Sequence, residues 1–509
     1  MNRQAIVKIL SVLLLPAMLL TGCGGGLSAG SGSSPFSSQE QTDTESPALP
    51  SGFALPYLSG ATLDPVTCPD GIQQTVASLL YEGLYELNRK AEPEPRLCSV
   101  SNYDAASFTW SFTLRSGVTF SDGSPLTAED AAASLRRACA SGRYGSRLAV
   151  IKSVGTAGGA VLVSLNRADT GLPALLDIPI VKSGTEDTSV PVGTGPYCFV
   201  SDGSGKYLSA NAAWWGGNTQ PVNRIGLVAC EEEDAARYQF TSHAVQLLVC
   251  DLTGTQPLSA TGSFEFSDAD TTILQYLGFN LRRPLFADSA LRRALSLGID
   301  RNAISRAYLS GHAAAAQFPV NPVSSLYPAK LEDEYSLSSY TAALQAALPA
   351  GGSRELTLIV NSENSFKVSA AKFIASSLSA SGLRITVNAL VWSDYLAALS
   401  SGNFDLFYGE VRLSADWDCR ALLGTGGALN YGGYTNATMD LLINQYAASV
   451  DRAAAMESLC RYFKQEAPIL PICFKRTSVL TQKDVVQGLS PTAANPFFKL
   501  GSCTVHLAK

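Results

Sequence analysis

The chain predicts an α/β fold, and three stretches carry that prediction. From 355 to 387 a strand, a helix and a second strand follow one another directly. From 107 to 138 an alternating strand leads through a turn into a helix with its own start signal. Near the C-terminus, 468–474 reads Pro-Ile-Leu-Pro-Ile-Cys-Phe, apolar enough for a buried strand. A strand–helix–strand crossover of this kind builds a parallel sheet covered by helices.

In chain order, Arg3 and Lys8 flank the start of an apolar run at 9–20. That run is shorter than the roughly 20 residues that cross a bilayer as a helix, and its layout is that of a secretory signal. It ends in Leu-Thr-Gly and then Cys23, which resembles the bacterial lipobox. The resemblance implies that 1–22 is removed and that Cys23 carries lipid; the alternative is a chance cysteine behind an ordinary signal. Several acyl chains would hold the protein stably on the outer face of the cell membrane, where a single chain gives only a marginal anchor. Residues 23–51 are dominated by Gly, Ser, Thr, Gln and Glu, a flexible tether too polar to pack. Folded structure is expected to begin near Gly52.

Leu79 to Leu87 places apolar residues at helical spacing. Ser-Phe-Thr-Trp-Ser-Phe-Thr-Leu at 107–114 alternates with period two, a half-buried strand. Asp122-Gly123 and Pro125 signal a turn, and Thr127 with Asp130 forms a capping-box pattern opening a helix. In the second half, 355–360 and 383–387 are strands, and 368–380 is a helix with Gly382 as its stop. A short helix at 393–399 and strands at 404–408 and 468–474 complete the pattern. There is no internal repeat.

Composition excludes several classes. The 509 residues are 46% hydrophobic and 16% charged, which is globular. Without Arg3 and Lys8 the count is 35 basic against 43 acidic residues, a net charge of −8, which argues against nucleic acid. Of eleven cysteines, ten remain beside Cys23, widely spaced and mostly in apolar surroundings, and they read as mainly free, buried thiols. Only three histidines are present, none at metal-binding spacing, and there is no G-x-S-x-G elbow and no phosphate-binding loop. No enzymatic activity, metal or cofactor is expected.

Five ordered blocks carry a resemblance. They are Tyr-Glu-Gly-Leu at 81–84 with Trp-Ser-Phe-Thr-Leu-Arg-Ser-Gly-Val-Thr-Phe-Ser-Asp-Gly at 110–123 and Leu-Thr-Ala-Glu-Asp at 126–130; Gly-Thr-Gly-Pro-Tyr at 193–197; Asn-Ala-Ala-Trp-Trp-Gly-Gly at 211–217; Tyr-Leu-Gly-Phe-Asn at 276–280; and the helix from Leu291 to Arg301. Together they resemble the family 5 extracellular solute-binding proteins, the peptide-binding components of ABC importers. The resemblance implies a two-lobed periplasmic-binding-protein-like fold of type II, with an extra subdomain in lobe I and a ligand cleft between lobes. Lobe I would comprise 52–85, 180–272 and 478–509, with the extra subdomain at 86–179; lobe II would be 273–477. It implies a monomer that closes on short peptides or another small solute and delivers them to an ABC permease driven by its ATPase subunits. Alternatives are a metal chelate or sugar in the same role, or a ligand sensor signalling to a receptor.

The binding candidates centre on Ala-Asp-Trp-Asp-Cys-Arg at 415–420. In peptide-binding relatives an aspartate in this region pairs with the ligand's α-amino group. A buried ammonium needs such a carboxylate, and a charge-assisted bond contributes on the order of 1.5–3 kcal/mol. Cys419 stands where proline is common in the family and the acids are one residue closer, so Asp416 and Asp418 both stay candidates; the alternative role for both is capping the next helix. Trp417 could wall the ligand, and Trp392 could face the cleft. Tyr431 and Tyr434, in Asn-Tyr-Gly-Gly-Tyr-Thr-Asn at 430–436, divide between ligand contact and packing near the hinge. Trp214 and Trp215 read as packing residues, and Glu410 with Arg412 as an ion pair flanking the loop.

Overall fold

The first strand, β1 (Phe53–Leu58), opens the described part of the chain, which in this computed structural model comprises residues 49–258, 263–348 and 354–508. The proposed signal, Cys23 and nearly all of the tether lie outside it. From β1 the chain passes into a four-stranded antiparallel sheet of β2 (Cys98–Asp104), β3 (Thr109–Leu114), β4 (Ile151–Ala157) and β5 (Ala160–Leu165), in the order β2-β3-β5-β4. Helix α1 (Ala128–Ala140) packs on it through Ala131, Ala132, Leu135 and Ala138. The expected capping box is present: Asp130 N–H donates to Thr127 Oγ1 at 3.3 Å and Thr127 N–H to Asp130 Oδ2 at 2.9 Å. The chain returns through β6 (Tyr197–Asp202), β7 (Gly205–Ala210) and β8 (Arg224–Cys230). These complete a second sheet in the order β1-β8-β7-β6, in which only β1 and β8 are parallel. Together the two sheets form lobe I.

A larger sheet runs from lobe I into lobe II. Its strands are β9 (Leu247–Cys250), β10 (Phe264–Phe279), β11 (Arg354–Asn361), β12 (Leu383–Leu390), β13 (Leu406–Arg412) and β14 (Ile469–Gln482), in the order β9-β14-β10-β13-β11-β12. The predicted crossover is there. β11 and β12 run parallel from Arg354 opposite Leu383 to Asn361 opposite Leu390, joined by α2 (Ser365–Leu378). Helices α3 (Trp392–Ser401), α4 (Ala437–Ala448) and α5 (Arg452–Glu466) complete the part that bears on function.

The lobes are joined through β10 and β14, long antiparallel partners that belong to both. Phe264 to Asp270 pair with Gln482 to Arg476 beside β9, whereas Leu274 to Gly278 pair with Phe474 to Ile469 beside β13. The register shifts between Asp270 and Leu274. A bulge of this kind bends and twists a ribbon without breaking it.

Two sequence expectations need correction. The segment 79–87 is not a helix: Tyr85–Leu87 is a short strand, and Glu82 makes an isolated bridge to Ile180. The segment runs between two cores, with Leu79, Leu80 and Tyr81 packed in one and Leu84 and Tyr85 in the other, so tertiary burial overrides its helical spacing. Gly83 is pressed so closely on the 177–178 backbone that a Cβ would lie 2.9 Å from a carbonyl carbon. Gly382 does not cap α2, whose C-cap is Ser379; it turns the chain into β12 with φ +87°. The ten described cysteines are free, and all but Cys139, Cys198 and Cys250 are buried. No described helix is long and apolar enough to cross a membrane.

Candidate functional site

The 413–420 loop leaves the end of β13, where Leu413 N–H still bonds Thr272 O at 2.9 Å. It then turns through Trp417, which adopts φ +59° and whose N–H donates to Ser414 O. The indole is 1% exposed and meets Phe474 edge-on at 5.7 Å. An L-residue in the left-handed region carries strain, which the buried ring offsets. Trp417 therefore pins the turn from inside the core and holds an aspartate on either side of itself.

Those two aspartates differ in charge balance. Asp418 sits 3.1 Å from Arg167 and 3.5 Å from Arg420 Nε, and its Oδ1 accepts from Arg420 N–H at 2.8 Å. Asp416 is 5% exposed, and its carboxylate accepts from Ser414 Oγ and from Asp418 N–H at 3.2 Å. Among the described residues no Lys, Arg or His forms an ion pair with it. Arg452 donates to the Asp416 backbone carbonyl and not to its carboxylate, as does the Tyr446 hydroxyl at 2.6 Å. Burial, and then the charge of Asp418, push the Asp416 carboxyl pKa up against the opposing Ser414 hydrogen bond and Arg452 charge.

Lobe I meets this loop with residues that sequence reasoning missed. Thr170 N–H donates to Ala447 O at 2.8 Å and its hydroxyl to Ser449 O at 2.6 Å, docking the 166–171 segment against α4. Asp169, 1% exposed, accepts Gly171 N–H at 2.8 Å; burial, followed by the charge of Asp416, lifts its carboxyl to about 6. Nothing local in Arg-Ala-Asp-Thr at 167–170 marks these residues, because their role exists only once two distant parts of the chain meet.

The other candidates fall into one adjoining apolar layer that contains Tyr395, Phe407, Trp417 and Tyr434, with Tyr431 packed against it. Tyr431 stands perpendicular to Phe407 at 6.3 Å. Tyr434 is buried. Asn430 staples the segment, accepting Tyr434 N–H and donating to Tyr434 O and Gly424 O. The void beside these tyrosines, about 10 Å³, has room for no more than a water. Trp392 begins α3, is 52% exposed and stacks on Tyr395 at 5.8 Å. Trp214 and Trp215 both donate through Nε1 to the buried Glu82, with Arg96 over their rings, which accounts for them as packing residues.

Glu410 and Arg412 do not pair. Glu410 instead lies 3.2 Å from Lys367 and 3.9 Å from Lys475 and accepts from Gln275 Nε2 at 2.8 Å, while Arg412 forms no ion pair among the described residues. Residues two apart on a strand share a face but stand about 6.7 Å apart, so lysines from neighbouring elements reach the glutamate first.

Two α/β lobes joined by shared strands are the architecture of a solute-binding protein. More particularly, the chain belongs to the bacterial extracellular solute-binding proteins of family 5, whose middle-region model matches residues 92–422. This family supplies the solute-binding components of ABC importers. The chain is 22% identical over 514 residues to the oligopeptide-binding protein AppA of Bacillus subtilis (strain 168), covering 93% of both chains. It superimposes on the unliganded open form of the periplasmic murein tripeptide-binding protein MppA with a TM-score of 0.74 at 19% identity, covering 90% of this chain and 98% of that one. A nickel ABC transporter protein of Bacillus halodurans gives 0.73 at 19% identity, covering 88% and 98%.

Proposed function

We propose that this protein captures short peptides outside the cell and delivers them to an ABC permease, with Asp416 taking the ligand's α-ammonium. The observation that carries this reading is the charge balance of the 413–420 loop: Asp418 is matched by Arg167 and Arg420, whereas Asp416 is buried with no ion-pair contact among the described residues, only the charge of Arg452 acting from its backbone side. A carboxylate held this way is costly alone and favourable once a ligand supplies positive charge. Trp392, exposed at the start of α3, and Tyr431 are the flat surfaces offered to peptide side chains. Trp417 and Tyr434 act behind them as support. Full-length similarity to an oligopeptide-binding protein supports the solute class.

In this reading the partition is lobe I at 52–85, 180–272 and 478–509, its subdomain at 86–179, and lobe II at 273–477. Cys23 carries the lipid that keeps the monomeric body at the membrane, and the chain binds without catalysing a reaction. Closure about β10 and β14 follows from a ligand that contacts both lobes and so shifts the population.

The test is retention of a defined peptide pool, a tryptic digest, before and after acetylation of its amino groups. Retention should fall at least tenfold on acetylation and equally with Asp416→Asn. Equal retention of the two pools would overturn the ammonium role. No retention of either pool would point to a different solute, such as a metal chelate.

A further inference from the structure

The hinge strands carry a line of charges, two buried lysines between partly exposed carboxylates, that peptide capture does not explain. Lys475 lies on β14 between Phe474 and Arg476, the residues where pairing with β10 jumps from Leu274 to Asp270. Its backbone carbonyl accepts the Thr271 hydroxyl at 2.7 Å, closing the bulge. The Lys475 side chain is 3% exposed, and its ammonium pairs with Asp251, at the end of β9 on the lobe I side. The same ammonium lies 3.9 Å from Glu410 Oε2 on β13 in lobe II. Glu410 is held in turn by Lys367 of α2 and by Gln275, whose Oε1 accepts the Tyr408 hydroxyl at 2.8 Å.

Both ends of this line are fixed. Asp251 Oδ1 accepts Thr253 N–H at 2.9 Å and the Thr253 hydroxyl at 3.1 Å. Asn364, which caps α2, donates from Nδ2 to Thr253 O at 2.9 Å. The sequence Asp251, Lys475, Glu410, Lys367 thus alternates in sign and crosses from one lobe to the other at the bend of the two connecting strands.

We propose that Lys475 is the positioning residue of the hinge: it ties Asp251 to Glu410 and thereby sets the angle at which the lobes rest. A charge this buried is favourable only while its partners stay close. Opening or closing that stretches either contact is therefore opposed, and the resting angle becomes a defined minimum. The inference concerns the angle of the unliganded lobes and holds for any solute.

The test is small-angle scattering together with amide hydrogen exchange on the full chain without added ligand. Lys475→Met and Asp251→Asn should each change the radius of gyration and speed exchange at 251–254 and 364–368, while Asp251→Glu should keep wild-type values. Because Lys475→Met removes a buried cation and could fail to fold, Asp251→Asn, whose carboxylate is 40% exposed, carries the test alone if needed. An unchanged radius in Asp251→Asn would overturn the proposal. So would a lowered melting temperature with faster exchange everywhere and no change in radius, which is what a purely structural ion pair would give.

Discussion

At the scale of single residues, function and stability pull on the same carboxylates. Asp416→Asn keeps a hydrogen-bond acceptor for Ser414 and for Asp418 N–H but removes the charge. Affinity for an amine-bearing peptide should fall at least tenfold, about 1.4 kcal/mol, as measured by calorimetry. Asp418→Asn should change affinity less and lower the melting temperature, because it leaves Arg167 and Arg420 unmatched. Asp169 gives a pH signature. Its carboxyl is raised to about 6 by burial in the fold, against about 3.9 in an unfolded chain. A raised carboxyl contributes stability below pH 4 and loses it as pH rises towards 6. Asp169→Asn should therefore raise the melting temperature at pH 8 and leave it unchanged at pH 4. A variant less stable than wild type at pH 8 would contradict this assignment. The 415–420 loop was legible in the sequence as a candidate, but the different charge pairing of its two aspartates was not. It depends on Arg167, which lies in the other lobe and reaches Asp418 only after folding.

At the scale of elements, local chemistry was read well where it was self-contained. The Thr127–Asp130 box and the β11–α2–β12 crossover need only neighbours in sequence, and both are present. The 79–87 segment failed because two cores claim its opposite sides, a fact that no local period encodes. The pairing at the hinge was equally hidden: 468–474 reads as a buried strand, and its register against 264–279 appears only in the fold. Two element-scale predictions follow from these features. Thr127→Ala should cost about 1 kcal/mol in urea unfolding, the usual worth of such a cap. Gly278→Ala should cost more, about 1–3 kcal/mol, because a Cβ there would lie 2.2 Å from the Phe407 ring inside the connecting ribbon. A loss for Gly278→Ala no larger than that for Thr127→Ala would mean the ribbon yields more readily than this packing implies.

At the scale of the whole molecule, the two lobes have separate cores and share two strands, so their relative motion costs little burial within either core. A ligand that contacts both lobes can then shift the population between open and closed by its differential affinity alone. The family assigns the molecule to solute capture, and the proposed ligand role of Asp416 would narrow it towards solutes bearing an ammonium group. The most direct measurement of this claim is native mass spectrometry of the protein as purified from cells, with fragmentation of any mass it retains. The account predicts a heterogeneous set of small additional masses that fragment into amino acids, and their loss in Asp416→Asn. A retained sugar or metal chelate without an amino group, or peptides held equally well by Asp416→Asn, would contradict it.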